Sequence, residues 1–201
     1  MPPRKQQELL TAAVALEADA QRALISGDVG AARVAFAEAV PLYRQSWELA
    51  HATAYGRLVG MLKAGVLAGG GAPEAEYVRG QLRDARPAGP TTRKGSPSAT
   101  ASYALGLAAL ILGDDEEAQA RAGSMSAGGE AFARTGDAMA ALAALDQPRY
   151  AAALEAIVRD FEQRSEHLTG VAIADTALVL SELGARRGMA VAIESPVLPA
   201  F

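Results

Sequence analysis

Ala20-Gln21-Arg22-Ala23-Leu24-Ile25-Ser26-Gly27-Asp28-Val29-Gly30-Ala31-Ala32-Arg33-Val34-Ala35-Phe36-Ala37-Glu38-Ala39 carries the reading of the fold. Ala20, Ala23, Ala32 and Ala39 recur at helical spacing, so the helices on either side of the break can approach closely. Ser26-Gly27-Asp28 interrupts the pattern. Gly27 suits the left-handed residue that closes a helix, and Asp28 can accept from the free N–H groups that open the next. Phe36 is the one large side chain available to fill the gap between the pair.

Working outward, the same punctuation returns at Gly113-Asp114, and Ala follows four residues after the Asp in both places, as Ala32 and Ala118. Ala122 stands where Phe36 stands in the first copy, so the repeat is degenerate. The spacing predicts a first helix from about Lys5 to Ile25, with Leu9, Leu10, Ala13, Leu16, Ala20 and Leu24 on its apolar face. A second helix starts at Asp28 and runs toward Ala54, bent or divided at Pro41. Further helical patterns cover Tyr55 to Leu67, Pro73 to about Arg86, Pro97 to Leu112, Glu130 to Leu145, Pro148 to Arg164 and Ile173 to Arg187. Pro87 to Pro97, rich in Pro, Gly, Ser and Thr, reads as a mobile loop between an N-terminal half, 1–86, and a C-terminal half, 98–201, of one compact unit. The tail Glu194-Ser195-Pro196-Val197-Leu198-Pro199 reads as extended. The expected fold is all-α, with about eight or nine helices in antiparallel hairpins.

Composition agrees. The chain of 201 residues holds 47 alanines, and its aromatic residues amount to 5%. Such a core is thin and lies between closely spaced helices. Absence of Cys rules out disulfides and thiolate metal sites. The net charge of −4 and the scattered arginines speak against nucleic acid as a partner, and the cluster Arg79, Arg83, Arg86, Arg93 and Lys94 reads as solvated loop charge. No apolar run approaches the length of a membrane span, and the N-terminus lacks a signal-peptide pattern. The expectation is a cytoplasmic protein without membrane partners.

Two groups of side chains stand out. Tyr43, Trp47, His51 and Tyr55 are spaced four apart and read as one slowly rotating helix face, a candidate partner- or ligand-binding surface if exposed and a core seam if covered. Arg164, His167 and Asp175 form the second candidate surface. His167 could serve as a general base oriented by Glu162, Glu166 or Asp175. Alternatively, it bonds a helix end while Thr169 or its neighbours cap the last helix and a buried Asp175–Arg pair holds the last hairpin. No catalytic residue is assigned. No cofactor or metal is expected either. Glu48-Leu49-Ala50-His51 matches half of a di-metal motif once, without a partner, Asp114-Asp115-Glu116-Glu117 reads as a cap and dipole complement, and Gly69-Gly70-Gly71 lacks the Lys-Ser/Thr of a phosphate loop.

The hairpin at Ala20–Ala39 resembles the core of a tetratricopeptide-type repeat, and the Gly113-Asp114 hairpin resembles a degenerate copy. That resemblance implies a short solenoid that holds another protein or peptide rather than doing chemistry. In the last third, Glu166-His167-Leu168-Thr169-Gly170, Ala174-Asp175-Thr176-Ala177, Arg187-Gly188 and Ser195-Pro196-Val197-Leu198-Pro199 look like the ending of a group of actinobacterial helical proteins. Some of these resemble the immunity-protein-49 type, which implies toxin neutralisation. Three functions therefore stand as expectations: a non-enzymatic protein- or peptide-binding module; a small helical enzyme or small-molecule-binding protein with a pocket around His167; and a structural homodimer with the aromatic stripe covered by a second copy.

Overall fold

A computed structural model describes residues 3–83 and 98–201; the loop expected at 87–97 lies outside them. Nine α-helices and one short 3-10 turn make up the regular structure among the described residues: α1 (Pro3–Ile25), α2 (Val29–Glu48), α3 (Gly56–Leu67), α4 (Ala72–Arg83), α5 (Ala99–Leu112), α6 (Asp115–Gly123), the turn Met125–Gly128, α7 (Glu130–Ala143), α8 (Gln147–Glu162) and α9 (Asp175–Arg186). The fold is all-α, and consecutive helices pack against one another as hairpins. No helix among the described residues is long and apolar enough to cross a membrane.

The turn at Gly27-Asp28 behaves as its chemistry dictates. Gly27 takes φ +80°, the Asp28 N–H returns to the Ala23 carbonyl at 2.9 Å, and Asp28 Oδ1 accepts from the Ala31 N–H at 2.9 Å. Gly113-Asp114 repeats it, with φ +77°, a return bond to Ala109 at 2.9 Å and a cap on Glu117 at 3.3 Å. A third copy joins α7 to α8: Asp146 bonds back to Ala141 at 3.0 Å and caps Arg149 at 3.2 Å. Here Leu145 occupies the left-handed position, at φ 55°. Four residues after each Asp stand Ala32, Ala118 and Tyr150, and all three are buried.

Helix α2 departs from expectation in two ways. Pro41 does not divide it; both Pro41 and Ala37, whose carbonyl loses its partner, face solvent, where water can satisfy that oxygen. The helix also stops at Glu48 instead of reaching Ala54. Residues 49–55 turn, and Tyr55 folds back onto Trp47 with ring centroids 6.0 Å apart.

Polar side chains fasten the two halves. Arg186, the last residue of α9, donates to the Val66 and Gly70 carbonyls at the end of α3 at 2.9 and 2.8 Å, and Arg187, which follows it, donates within the C-terminal half to the Leu110 carbonyl of α5 at 2.7 Å and to Asp115 at 2.5 Å. Arg79 of α4 reaches Asp114 at 2.7 Å. The tail has no regular structure and turns at Pro196, so its extended reading holds only up to that point. It docks rather than projecting: Val197 is buried, its carbonyl accepts from the Ala174 N–H at 2.7 Å, and Ser195 donates to Glu162 at 2.7 Å.

Candidate functional site

The first sequence candidate comes apart in three dimensions. Tyr43 and Trp47 lie on α2, His51 lies exposed in the turn after it, and Tyr55 immediately precedes α3. The four do not share one helix face, because the helix ends before His51. Tyr43, Trp47 and Tyr55 are buried at 2%, 8% and 8% exposure, covered by their own chain. The Tyr43 hydroxyl donates to Glu17 of α1 at 2.5 Å, and its ring lies where a Cβ on Gly60 of α3 would fall, 2.6 Å away. They form a seam between α1, α2 and α3.

The second candidate comes together. Arg164, His167 and Asp175 all line a pocket of about 260 Å³. Its walls come from α1 (Gln21), α3 (Lys63), α5 (Tyr103), α7 (Phe132, Arg134, Thr135), α8 (Ile157, Asp160, Phe161) and the segment leading into α9 (His167 to Ile173). That segment can line a pocket because both ends are held. Thr169 donates its hydroxyl to Gln21 Oε1, and the backbone into α9 is held by Val197.

The floor is ionic. Lys63 Nζ donates to Asp175 Oδ2 at 2.7 Å and to Thr176 Oγ1 at 2.9 Å, and the other Asp175 oxygen accepts from the Thr176 N–H at 2.7 Å. Burial alone would lower the Lys63 pKa. Asp175 reverses it, aided by Tyr103 and Glu17, so the ammonium is held charged above the usual lysine range. Behind the floor, burial and then the Asp175 charge push the Glu17 carboxyl up to about 6, against the opposing Tyr43 hydrogen bond and the Lys63 charge. The partner of Asp175 is thus a lysine 112 positions away in sequence, not the arginine expected.

The rim sets two arginines on one lining carboxylate. Asp160 accepts from Arg134 Nη2 on one oxygen and from Arg164 Nη2 on the other, both at 2.5 Å. Arg164 also lies over the Phe161 ring, 3.8 Å from its centroid. His167 sits beside the same ring, 6.2 Å between centroids, and its Nδ1 is buried without a hydrogen-bond partner among the described residues. No carboxylate among the described residues orients it. Thr169 does not cap α9 either; its hydroxyl accepts from the Val171 N–H at 3.3 Å, and Ala174, at the N-cap, supplies no side-chain bond.

Sequence reasoning missed Lys63, Arg134, Asp160 and Glu17. Two of them leave a trace: Lys63 is the lone charge inside the apolar run Leu62 to Leu67, and Glu17 falls on the stripe of Ala13, Ala20 and Leu24. A charge on an apolar face is buried against a partner. Arg134 and Asp160 leave none, since each lies on an ordinary amphipathic helix. No protein-family model, curated protein or solved structure matches this chain.

Proposed function

We propose that this chain binds a small molecule in the pocket between α1, α3, α5, α7, α8 and the segment entering α9. The observation that carries this reading is a pocket of about 260 Å³ in which an apolar wall of Phe132, Ile157, Phe161, Val171 and Ile173 meets the charged groups of Lys63, Arg134, Arg164 and Asp175. Apolar walls with a few convergent polar groups are what small-molecule sites present. A protein or peptide partner, the first expectation from the sequence, would have to engage a surface other than the aromatic stripe, because Tyr43, Trp47 and Tyr55 are covered by α1 and α3.

The test is a fragment screen by nuclear magnetic resonance, using neutral, cationic and anionic molecules of about ten non-hydrogen atoms. Ala131 is exposed yet lines the pocket, so Ala131→Trp narrows the mouth without disturbing the core. Fragments that shift the His167 ring resonances of the wild type and not those of Ala131→Trp are the expected result. A screen in which no fragment of any charge does so would sink the reading.

A further inference from the structure

The ligand's chemistry follows from which groups around the pocket still have hydrogen-bonding capacity; this rests on the small-molecule reading above. The two carboxylates on the lining are both occupied. Asp160 accepts from Arg134 on one oxygen and Arg164 on the other. Asp175 accepts from Lys63 on one oxygen and from the Thr176 backbone on the other. Neither presents an oxygen free of a protein donor to a cationic ligand.

The cations are in the opposite condition. A guanidinium carries five N–H donors in a fixed fork. Arg134 uses Nη2 on Asp160, and its Nη1 has only Glu130 at 3.7 Å, a carboxylate 95% exposed to water. Arg164 places Nε and Nη2 on the same Asp160 oxygen, and its Nη1 has no hydrogen bond among the described residues. Two guanidinium groups thus share one lining carboxylate. Across the lining the charges are Lys63, Arg134 and Arg164 against Asp160 and Asp175, an excess of one positive. Glu17, outside the lining, bears on the floor pair and not on the rim. The surplus donors therefore lie at the rim, beside the Phe161 face, where Glu130 offsets one guanidinium charge only from a position 95% exposed to water.

The apolar part of the wall is Phe132, Ile157, Phe161, Val171 and Ile173, while the Thr135 and Thr169 hydroxyls donate to the Ala131 carbonyl and to Gln21. A cavity of about 260 Å³ has the volume of roughly nine waters at about 30 Å³ each. We infer that the pocket takes a small monocarboxylate with an apolar body, its carboxylate on Arg134 and Arg164 and its body against Phe161 and Ile157. Arginine forks match a planar carboxylate with two parallel hydrogen bonds, and such charge-assisted bonds are the strong ones.

Three probes of one shape and different charge test this on the full chain: 3-phenylpropionate, 3-phenylpropanamide and 3-phenylpropylamine, titrated by calorimetry and by the His167 ring resonances. The carboxylate is expected to bind at least about tenfold more tightly than the amide, with the amine weakest. Arg164→Gln, at a side chain 38% exposed, is expected to abolish that preference. Unchanged thermal melting would establish that this variant is folded. An amide or amine that binds as well as the carboxylate overturns the inference and leaves the pocket reading standing. A carboxylate preference that survives both Arg164→Gln and Arg134→Gln overturns the placement of the anion. If neither these probes nor any fragment of the broader screen moves the His167 resonances, both readings fall together.

Discussion

Glu17 shows at the scale of one residue how a sequence position acquires a property its neighbours cannot give it. On α1 it occupies the apolar stripe, so folding buries it at 3% exposure against Tyr43 and near Asp175. Its folded pKa of about 6 lies above the 4.5 of an ordinary glutamate, so its contribution to stability is full below pH 4.5 and is lost as pH rises through 6. Glu17→Gln keeps an acceptor for Tyr43 and removes the titration. The stability of the variant relative to wild type is therefore expected to rise by about 2 kcal/mol between about pH 4 and pH 7. Chemical denaturation across that range measures it, and parallel profiles for the two proteins would refute the shift.

Helices in this protein pack closely because their contact faces are built from Ala and Gly. Close packing makes those glycines unequal. A Cβ on Gly136 of α7 would lie 2.7 Å from the Ala122 carbonyl oxygen at the end of α6, which is backbone and cannot step aside. One on Gly106 of α5 would meet the Met139 Cε at 2.7 Å, the far end of a flexible side chain. Gly136→Ala is expected to cost about 1–3 kcal/mol. Gly106→Ala should fall within about 1 kcal/mol of wild type, because helix propensity gained offsets the repacking. Urea midpoints of the two variants decide this, and equal costs would mean that backbone and side-chain neighbours yield alike.

At the element scale, what the sequence made legible was punctuation. Gly27-Asp28 and Gly113-Asp114 announce their turns because glycine and aspartate each satisfy a local backbone requirement. The third copy falls in the gap between the helical patterns that end at Leu145 and begin at Pro148. Leu145 holds the left-handed position there without the residue type that normally marks it. The end of α2 was misread for a related reason. Residues 49–55 keep a helical spacing of apolar and aromatic groups, and what stops the helix is the packing of Tyr55 on Trp47, a contact made only after the chain reverses.

Across the whole molecule the two halves meet through Lys63 and Asp175, and this pair forms both a fastening and the floor of the candidate site. Lys63→Met leaves Asp175 beside the Thr176 N–H with no countercharge, at a side-chain exposure of 21%. The expected loss is about 3 kcal/mol, and Lys63→Met with Asp175→Asn should recover most of it. A single variant within about 1 kcal/mol of wild type in urea unfolding would show that the pair contributes little to joining the halves.

The sequence by itself determined that this is an all-α chain of hairpins, and it placed most helix boundaries to within a few residues. Those features depend on local requirements: helical periodicity, left-handed glycines, and aspartates that cap. It also singled out Arg164, His167 and Asp175, whose polar density in a short span is visible along the chain. Only the tertiary structure decided that they line one pocket, that Arg134 and Asp160 complete its rim, that Lys63 is the partner of Asp175, and that the aromatic stripe is a seam instead of a surface. Each of these depends on which helix faces which. That is settled by the burial of side chains from segments as far apart as Gln21 and Thr169, and no local pattern encodes it.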